Sequence, residues 1–357
     1  MALTKLYPSD YNQKLLQAQS DLSPDLFERH IKIDSELNEQ IQASSLNYFQ
    51  DSWRRLKKNK GAMIALFFAI FIVGVAFLAP WISPFDPNAQ HPEWAKLAPK
   101  IPWLAQFGIF DGMGVNRAGI AYDVYAQKGV PADVYFTLGT DALGRDLLSR
   151  ILHGTRISLI VAFVAALINL VLGIIYGLIS GWLGGKVDTV MQRILEILTG
   201  IPNLVIVVLM LLLLRPGLLS IIITIALTSW ITMSRVVRAQ TLRLKNQEYV
   251  IAARVLGQSP LKIMFQHILP NMLGIIIVQV MFAIPSAIFF EAFLSFIGIG
   301  IPAPQASLGT LINDGYQTFR FLPHLMWYPA LMISVLMLSF NILADGLRDA
   351  FDPREEE

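Results

Sequence analysis

The feature of the sequence that most restricts its fold is a series of long apolar stretches. The first, GAMIALFFAIFIVGVAFLAPWIS, runs from Gly61 to Ser83 without a charged residue. A bilayer needs about 20 consecutive apolar residues for each spanning helix. Charged residues make up 15% of the 357-residue chain, against about 25% in soluble domains. The stretches therefore predict membrane-spanning helices.

We predict an all-α membrane protein with six transmembrane helices and with both termini in the cytoplasm. The spans are expected at residues 61–83, 157–183, 194–214, 218–233, 272–297 and 327–343. Cytoplasmic loops carry an excess of Lys and Arg. The cluster WRRLKKNK, which precedes the first span, and the Arg-rich and Lys-rich loop 235–270 therefore set the orientation.

The same pattern divides the chain into five parts. We expect a cytoplasmic tail at 1–52, a basic anchor with the first span at 53–83, an extracellular segment at 84–156, a five-helix core at 157–350 that includes loop 235–270, and a cytoplasmic tail at 351–357. No apolar run lies near Met1, so we expect no cleavable signal peptide. The first tail has a composition that permits disorder, and a helix at 22–41 is the alternative.

Small residues recur along the second predicted span. Gly173, Gly177 and Gly181 follow one another at four-residue spacing, which lets transmembrane helices approach closely. Asn169 on the same span is interpreted either as an interhelical hydrogen-bonding residue or as a ligand-binding group. The third span is interrupted by the sequence GIPN at residues 200–203.

Residue types that carry chemistry are scarce. The chain has no cysteine, which excludes disulfides and thiolate ligands. His153, His267 and His324 lie in different predicted loops, and nothing pairs them as a metal or catalytic site. The sequence GWLGGKV superficially matches a phosphate-binding loop, but Val187 stands where Ser or Thr must ligate magnesium. We therefore expect no catalytic residue, metal or nucleotide in this chain, and a net charge of +2 does not indicate nucleic-acid binding.

The cytoplasmic stretch at 248–270 predicts a helix, a break and a second helix. Gly257 suits the left-handed position that ends a helix. Ser259 can cap the next helix, and Pro260 takes its favoured first position. The second helix is expected to present Leu261, Met264 and Phe265 on one face.

Such a hinge would form a compact projection with two small residues, Ala252 and Ala253, near its apex. A projection of this shape can fit a groove of another protein. The alternative is an ordinary basic inner loop with two frayed helices.

The stretch resembles the EAA loop of ABC-importer permeases. Ala252, Ala253, Gly257, Leu269 and Pro270 fall on the register of that loop. Its general pattern has Glu at position 251 and Ile at position 267, where this chain has Ile and His, and both departures are typical of the dipeptide/oligopeptide branch. The resemblance implies that this loop is the coupling helix that lodges in an ATPase cleft. The residues assigned to it are Ala252, Ala253, Arg254, Gly257, Ser259, Pro260, His267, Leu269 and Pro270.

Three further stretches are similar to the same branch. They are LGTDALGRDLLSR at 138–150, EAFLSFIGIG at 291–300 and DGLRDAFDPR at 345–354. The first is expected to contain a short interfacial helix with Leu147, Leu148 and Ile151 toward lipid. Together the motifs resemble the C-type permease subunit of oligopeptide importers, which implies the type I ABC-importer permease fold.

The resemblance also implies the activity and its partners. We expect a multi-pass subunit in the plasma membrane of a prokaryote that forms half of a translocation path for oligopeptides. Implied partners are a homologous permease, two cytoplasmic ATPases that bind ATP and Mg²⁺, an extracellular peptide-binding protein and membrane lipid. Dipeptides or nickel chelates are alternative cargoes. An ion-coupled secondary transporter is the rival class, and it would be expected to carry several intramembrane carboxylates.

Glu291 and Pro285 lie inside the fifth predicted span. A buried ionisable group faces protein or a water-filled cavity, so Glu291 either lines the translocation path or holds backbone N–H groups of the loop 298–310. Pro285 is expected to break the helix, and broken helices border transport paths. A packing kink is the alternative for Pro285.

Overall fold

The computed structural model describes residues 48–115, 120–214 and 217–351, and this part of the chain is mostly helical. The helices are α1 (Tyr48–Lys58), α2 (Lys60–Ile82), α3 (Pro102–Ala105), α4 (Val124–Gln127), α5 (Leu147–Leu183), α6 (Gly185–Gly200), α7 (Asn203–Leu214), α8 (Leu218–Thr228), α9 (Trp230–Leu244), α10 (Glu248–Val255), α11 (Pro260–Ile263), α12 (Leu269–Asn271), α13 (Leu273–Phe296), α14 (Leu308–Thr318) and α15 (His324–Phe351). Most of the two predicted tails, and the alternative helix at 22–41, lie outside the described residues.

Five stretches of the described chain are long and apolar enough to cross a membrane. They are α2, α5, α8 with α9, α13 and α15. A sixth crossing exists if α6 and α7, which are bent by 84° relative to each other, form one broken span. The bend falls at the predicted GIPN interruption, where Pro202 cannot continue the helical hydrogen bonding. The helical membrane fold is confirmed, while the count of six spans and the side of the termini stay predictions.

The predicted glycine stripe is confirmed as a helix contact between α5 and α9. A Cβ atom built on Gly177 would lie 2.6 Å from the carbonyl oxygen of Ser234 on α9. A Cβ atom on Gly181 would lie 2.7 Å from the Cβ atom of Thr241. Because no side chain separates the backbones there, α5 and α9 pack at close range.

The centre of the bundle is built from small and branched apolar side chains. α2, α5, α13 and α15 meet in one buried cluster that includes Ala76, Leu159, Ile288 and Leu336. A second cluster lies where α5, α9 and α13 meet the segment that follows α9, and it includes Met233 and Val237. These clusters fix the helices that carry the candidate site.

Between α2 and α5 the chain forms a small folded unit with its own apolar core, which includes Leu97, Tyr125 and Phe136. A hairpin lies in this unit, with β1 (Met113–Val115) antiparallel to β2 (Ala121–Asp123). Burial raises the pKa of Tyr125 to about 12. Its hydroxyl therefore stays protonated and donates to the carbonyl oxygen of Ala98 at 2.9 Å. The all-α prediction missed this hairpin because its strands are only three residues long.

The expectation that Leu147 and Ile151 face lipid is wrong. Both side chains are 2% exposed and pack against Leu308, Leu311 and Leu325 of α14 and α15. They belong to the 37-residue helix α5 rather than to a separate interfacial helix. At about 1.5 Å per residue, α5 is about 55 Å long. It therefore extends well beyond a hydrocarbon core of about 30 Å.

Candidate functional site

The coupling segment, residues 248–270, consists of two helical arms joined at a glycine. The first arm is α10, and the second runs from α11 through a π-helical turn, Met264–Ile268, into α12. Single π-helical turns occur often at functional positions. The predicted order of helix, break and helix is confirmed.

Gly257 ends the first arm in the left-handed conformation, with φ +77°. Its N–H donates to the carbonyl oxygen of Arg254 at 3.0 Å, and the N–H of Gln258 donates to that of Ala253 at 3.1 Å. This pair of bonds closes the last turn of the helix as a Schellman motif. Another residue would be strained at this φ value, although a Cβ atom would meet nothing within 4 Å.

Side chains also bridge the hinge. Ser259 occupies the cap position before Pro260, but within the described residues its side chain makes no capping hydrogen bond. Instead, the Oε1 atom of Gln258 lies 2.8 Å from the Nε2 atom of His267. The Nε2 atom of Gln258 donates to Gln266 at 2.9 Å. His267 therefore joins the hinge to the second arm.

One side of the coupling segment packs onto the bundle. Val250, Ile263 and Ile268 are fully buried and contact the second core cluster. Met264 is also buried there, so the predicted shared face of Leu261, Met264 and Phe265 is wrong for Met264. Leu261 and Phe265 are exposed instead, so Met264 belongs to a different face of the second arm.

The other side of the segment exposes large apolar side chains. Val255 is 81% exposed, Leu256 86%, Leu261 66% and Phe265 54%. These four residues, named here the apolar tip, surround the Gly257 hinge. Contiguous exposed apolar surface of this kind marks an interaction site.

Two contacts tie the coupling segment and the preceding loop to the end of α5. The guanidinium of Arg254 lies 4.9 Å from the centre of the Trp182 ring, within the range of a cation–π contact. The ammonium group of Lys245 donates to the carbonyl oxygen of Gly181 at 2.8 Å. The Trp182 contact could not be predicted from the sequence, because the two residues lie in separate predicted elements.

The remaining predicted residues of the segment differ in exposure. Ala253 is buried, and Leu269 and His267 are half-buried. Ala252 and Pro270 are exposed. The nine residues assigned to ATPase docking thus lie on one hinged segment, but only part of the set is available to a partner.

An ion pair that the sequence analysis missed joins the end of α5 and the start of α6 to the middle of α9. The guanidinium of Arg238 donates to both carboxylate oxygens of Asp188. The hydroxyl of Ser180 also donates to Asp188. The side chain of Gln192 donates to Ser180 at 3.0 Å. This network connects the start of the bent pair to the helix that precedes the coupling segment.

Glu291 is fully buried on α13. Its carboxylate accepts hydrogen bonds from the hydroxyls of Ser158 and Ser295, each at 2.7 Å. These two hydrogen bonds come from side chains of α5 and α13, whereas the sequence suggested backbone N–H groups of the loop 298–310 as donors. Pro285 is buried inside the same helix, which continues through it from Leu273 to Phe296. The expected helix break at Pro285 is wrong.

Four charged groups join the residues before α5 and its first turn to α14. The Nε atom of Arg145 lies 2.6 Å from Asp141, and Arg145 and Arg150 each lie 3.8 Å from Asp314. Arg150 is 2% exposed. Two arginines and two aspartates compensate one another here, which explains how such buried charges are tolerated.

A cavity of about 410 Å³ lies between α5, α8, α9 and α13 and reaches the first residue of α7. Glu291 and Pro285 are absent from its described lining, although Ser286 and Ala287 of the same helix contribute to it. Asn169 lines the cavity, and its Oδ1 atom has no hydrogen-bond partner among the described residues. Both interpretations of Asn169 stay predictions.

Comparison with protein families assigns a class to this fold. Residues 173–357 match the family described as the binding-protein-dependent transport system inner membrane component. Residues 47–99 match the N-terminal transmembrane domain of oligopeptide transport permease C. The coupling segment lies inside the first match and α2 inside the second.

Relatives of known name cover most of the chain. The dipeptide transport system permease protein DppC of Lactococcus lactis subsp. cremoris (strain MG1363) is 47% identical, with 90% of this chain and 95% of that protein covered. The DppC protein of Bacillus subtilis (strain 168) is 41% identical, with 88% of each chain covered. The oligopeptide transport system permease protein OppC of the same strain is 39% identical, with 88% of this chain and 93% of that protein covered.

The chain is therefore an inner-membrane permease component of a binding-protein-dependent ABC transport system. It belongs to the family of dipeptide and oligopeptide transport permeases C. The resemblance found in the sequence is confirmed, as is the expectation of a multi-pass protein of the plasma membrane.

Proposed function

We propose that this chain forms half of the translocation path of an ATP-driven peptide importer and couples it to a separate ATPase through the coupling segment. ATP and Mg²⁺ would be bound and turned over by the two partner ATPases. A homologous permease would supply the other half of the path. A peptide-binding protein would deliver the cargo to the outer segment 84–156 and to the loop before α14.

The observation that carries the proposal is the apolar tip. Exposed residues in a membrane-spanning part can contact lipid, but the tip lies within the basic loop 235–270, which the positive-inside rule assigns to the cytoplasm. There, four exposed apolar side chains around one hinge favour a protein partner. The buried side of the same segment contacts α9, so a force on the tip would reach the bundle.

Exchange of one tip residue for a charged one tests the docking. In the variant Leu256→Asp, a carboxylate would have to be buried in the ATPase interface without a partner, which costs several kcal/mol. We expect the ATPases to be lost from the complex during purification in detergent and peptide uptake by proteoliposomes to fall at least tenfold.

The matched control is Phe321→Asp, which changes a residue 84% exposed in the loop between α14 and α15. This variant should keep its ATPases. Co-purification of ATPases with Leu256→Asp at the level of the unchanged chain would contradict the docking assignment.

The cargo is proposed to be a peptide, as the names of the relatives suggest. The sequence resemblance favoured oligopeptides, and the identity of 47% to one dipeptide permease supports dipeptides as a second candidate. Competition of uptake by unlabelled peptides of graded length separates the two. If nickel chelates were the cargo, unlabelled peptides would not compete for uptake.

The topology belongs to the same proposal. We infer six spans with α6 and α7 as one broken crossing, both termini in the cytoplasm, and the five-part division of the chain at 1–52, 53–83, 84–156, 157–350 and 351–357. The charge pattern supports this arrangement, because the clusters at 53–60 and 235–270 then lie on the same side.

A further inference from the structure

The helix α1 carries cations that no carboxylate of the described chain balances. A single residue, Asn59, separates α1 from the span α2. Asp51, the acidic residue of α1, is already paired with Arg55 at 2.7 Å. Four further basic residues are exposed and form no ion pair within the described part of the chain, and together they are named here the basic face: Arg54, Lys57, Lys58 and Lys60. Positive charge therefore accumulates where the chain enters its first span.

The opposite side of α1 is fixed to the bundle. Leu56 is buried and packs with Leu347 and Ala350 near the end of α15. Successive residues of a helix point about 100° apart. Arg54 and Lys58, two positions before and after Leu56, therefore point away from α15. The packing of Leu56 thus keeps the basic face turned outward.

An aromatic side chain lies beside the cations. Trp53 is exposed, and the Nζ atom of Lys57 lies 5.4 Å from the centre of its ring, within the range of a cation–π contact. Tryptophan is enriched where the hydrocarbon core of a bilayer meets the headgroups. Helices that lie in this layer combine Trp with Lys and Arg. The indole and the ammonium group together suit this boundary.

The basic face is close enough to the span to reach lipid headgroups. Lys58 precedes the first residue of α2 by two positions, which is at most about 7 Å of chain. Arg54 lies about one helical turn, or about 6 Å, further back. The polar layer of a bilayer is about 5–8 Å thick on each side, and the long stems of Lys and Arg carry their charges beyond the backbone.

We propose that the basic face and Trp53 bind anionic phospholipid, so that α1 lies in the headgroup layer and holds the start of α2 and the end of α15 to it. Each Lys or Arg near an anionic membrane surface raises the affinity about fivefold. The leaflet is the cytoplasmic one, which rests on the proposed topology. An acidic surface of an ATPase is the competing occupant, but Trp53 and the short link to α2 favour lipid.

The complete importer, purified in a neutral detergent and titrated with phosphatidylglycerol, tests this assignment. We expect the lipid to raise the thermal midpoint of the complex in a saturable manner. In the triple variant Arg54→Gln, Lys57→Gln and Lys58→Gln, the half-saturating lipid concentration should rise about tenfold or more. Phosphatidylcholine and glycerol phosphate should leave the midpoint unchanged, because the first has no net charge and the second has no acyl chain.

Two further triple variants are matched controls. The first keeps every charge and should bind the lipid like the unchanged complex: Arg54→Lys, Lys57→Arg and Lys58→Arg. The second removes three exposed cations from α6 and α9, and it should also bind like the unchanged complex: Lys186→Gln, Arg193→Gln and Arg243→Gln. Retention of the ATPases by the triple Gln variant of α1 should show that its fold is intact.

An unchanged half-saturating concentration in the triple Gln variant of α1 would overturn the assignment. An equal rise in the control on α6 and α9 would also overturn it, because the effect would then be one of total charge. Loss of the ATPases from the variant of α1 would assign the basic face to a protein partner instead. The titration in detergent does not depend on the side on which α1 lies, so an error in the proposed topology would be detected separately, by labelling of single cysteines.

Discussion

Asp188 connects helices that are far apart in the sequence. Its main partner, Arg238, lies 50 positions further along the chain. The hydrogen bonds with Arg238 hold the start of α6 against α9. Side-chain exposures of 29% for Arg238 and 14% for Asp188 mean that water screens this ion pair less than one on the surface.

We therefore predict that Asp188→Asn destabilises the protein. The charged hydrogen bonds to Arg238 would be replaced by weaker ones, at a cost of about 1–3 kcal/mol. The midpoint of thermal unfolding of the purified complex in detergent should fall by several degrees.

Glu196→Gln is the matched control, because it removes the carboxylate of an ion pair with Arg193 on the same helix. That pair has exposures of 73% and 54%, and exposed pairs contribute about 0–1 kcal/mol. Equal shifts of the midpoint in the two variants would show that the Asp188 network has no special role.

Some single residues could be predicted from the sequence and others could not. Gly257 was predictable because a left-handed helix end has a local sequence signature. The pairs Asp188 with Arg238 and Trp182 with Arg254 were not, because each joins elements whose relative position depends on tertiary packing. Leu147 was misassigned for the same reason, since its partners on α14 follow more than 150 positions later.

At the level of helices, the close contact of α5 with α9 depends on glycines, which have no side chain to separate the two backbones. Gly177 faces Ser234 and Val237. A branched side chain at this position would push the two helices apart or force shifts in both backbones. Overpacking of this kind costs about 1–3 kcal/mol.

We predict that Gly177→Val lowers the thermal midpoint and the yield of folded protein, measured by size-exclusion chromatography in detergent. Gly74→Ala on α2 is the control, because a Cβ atom there meets no atom within 4 Å. If Gly177→Val eluted and unfolded like the unchanged chain, the close approach of α5 and α9 would be wrong.

The positions of the long helices could largely be predicted from the length of the apolar stretches and the spacing of the glycines. The four-residue repeat of glycines predicted the tight face of α5, and the GIPN sequence predicted the bend between α6 and α7. Pro285 shows the limit of such signals, because the helix continues through it within a packed environment. A proline in a membrane helix is tolerated where neighbouring groups satisfy the freed backbone atoms.

For the whole molecule, the number of membrane crossings between α5 and α9 decides on which side of the membrane the later elements lie. If α6 and α7 form one broken span, Gly217, which directly precedes α8, lies outside and the apolar tip lies in the cytoplasm. With α6 and α7 as a re-entrant loop, every later element changes side. The positive-inside rule favours the first arrangement, because the second would place the basic loop 235–270 outside.

Single cysteines decide between these arrangements, since the chain contains no cysteine of its own. We predict that cysteines at Gly217 and Phe321 react with a membrane-impermeant maleimide in intact cells. A cysteine at Leu256 should react only after the membrane is opened. Phe107, 73% exposed in the outer unit, is the positive control because it stays outside in both arrangements. Labelling of the cysteine at Leu256, together with protection of the cysteines at Gly217 and Phe321, would show five spans instead of six. The apolar tip would then lie outside, out of reach of any cytoplasmic ATPase.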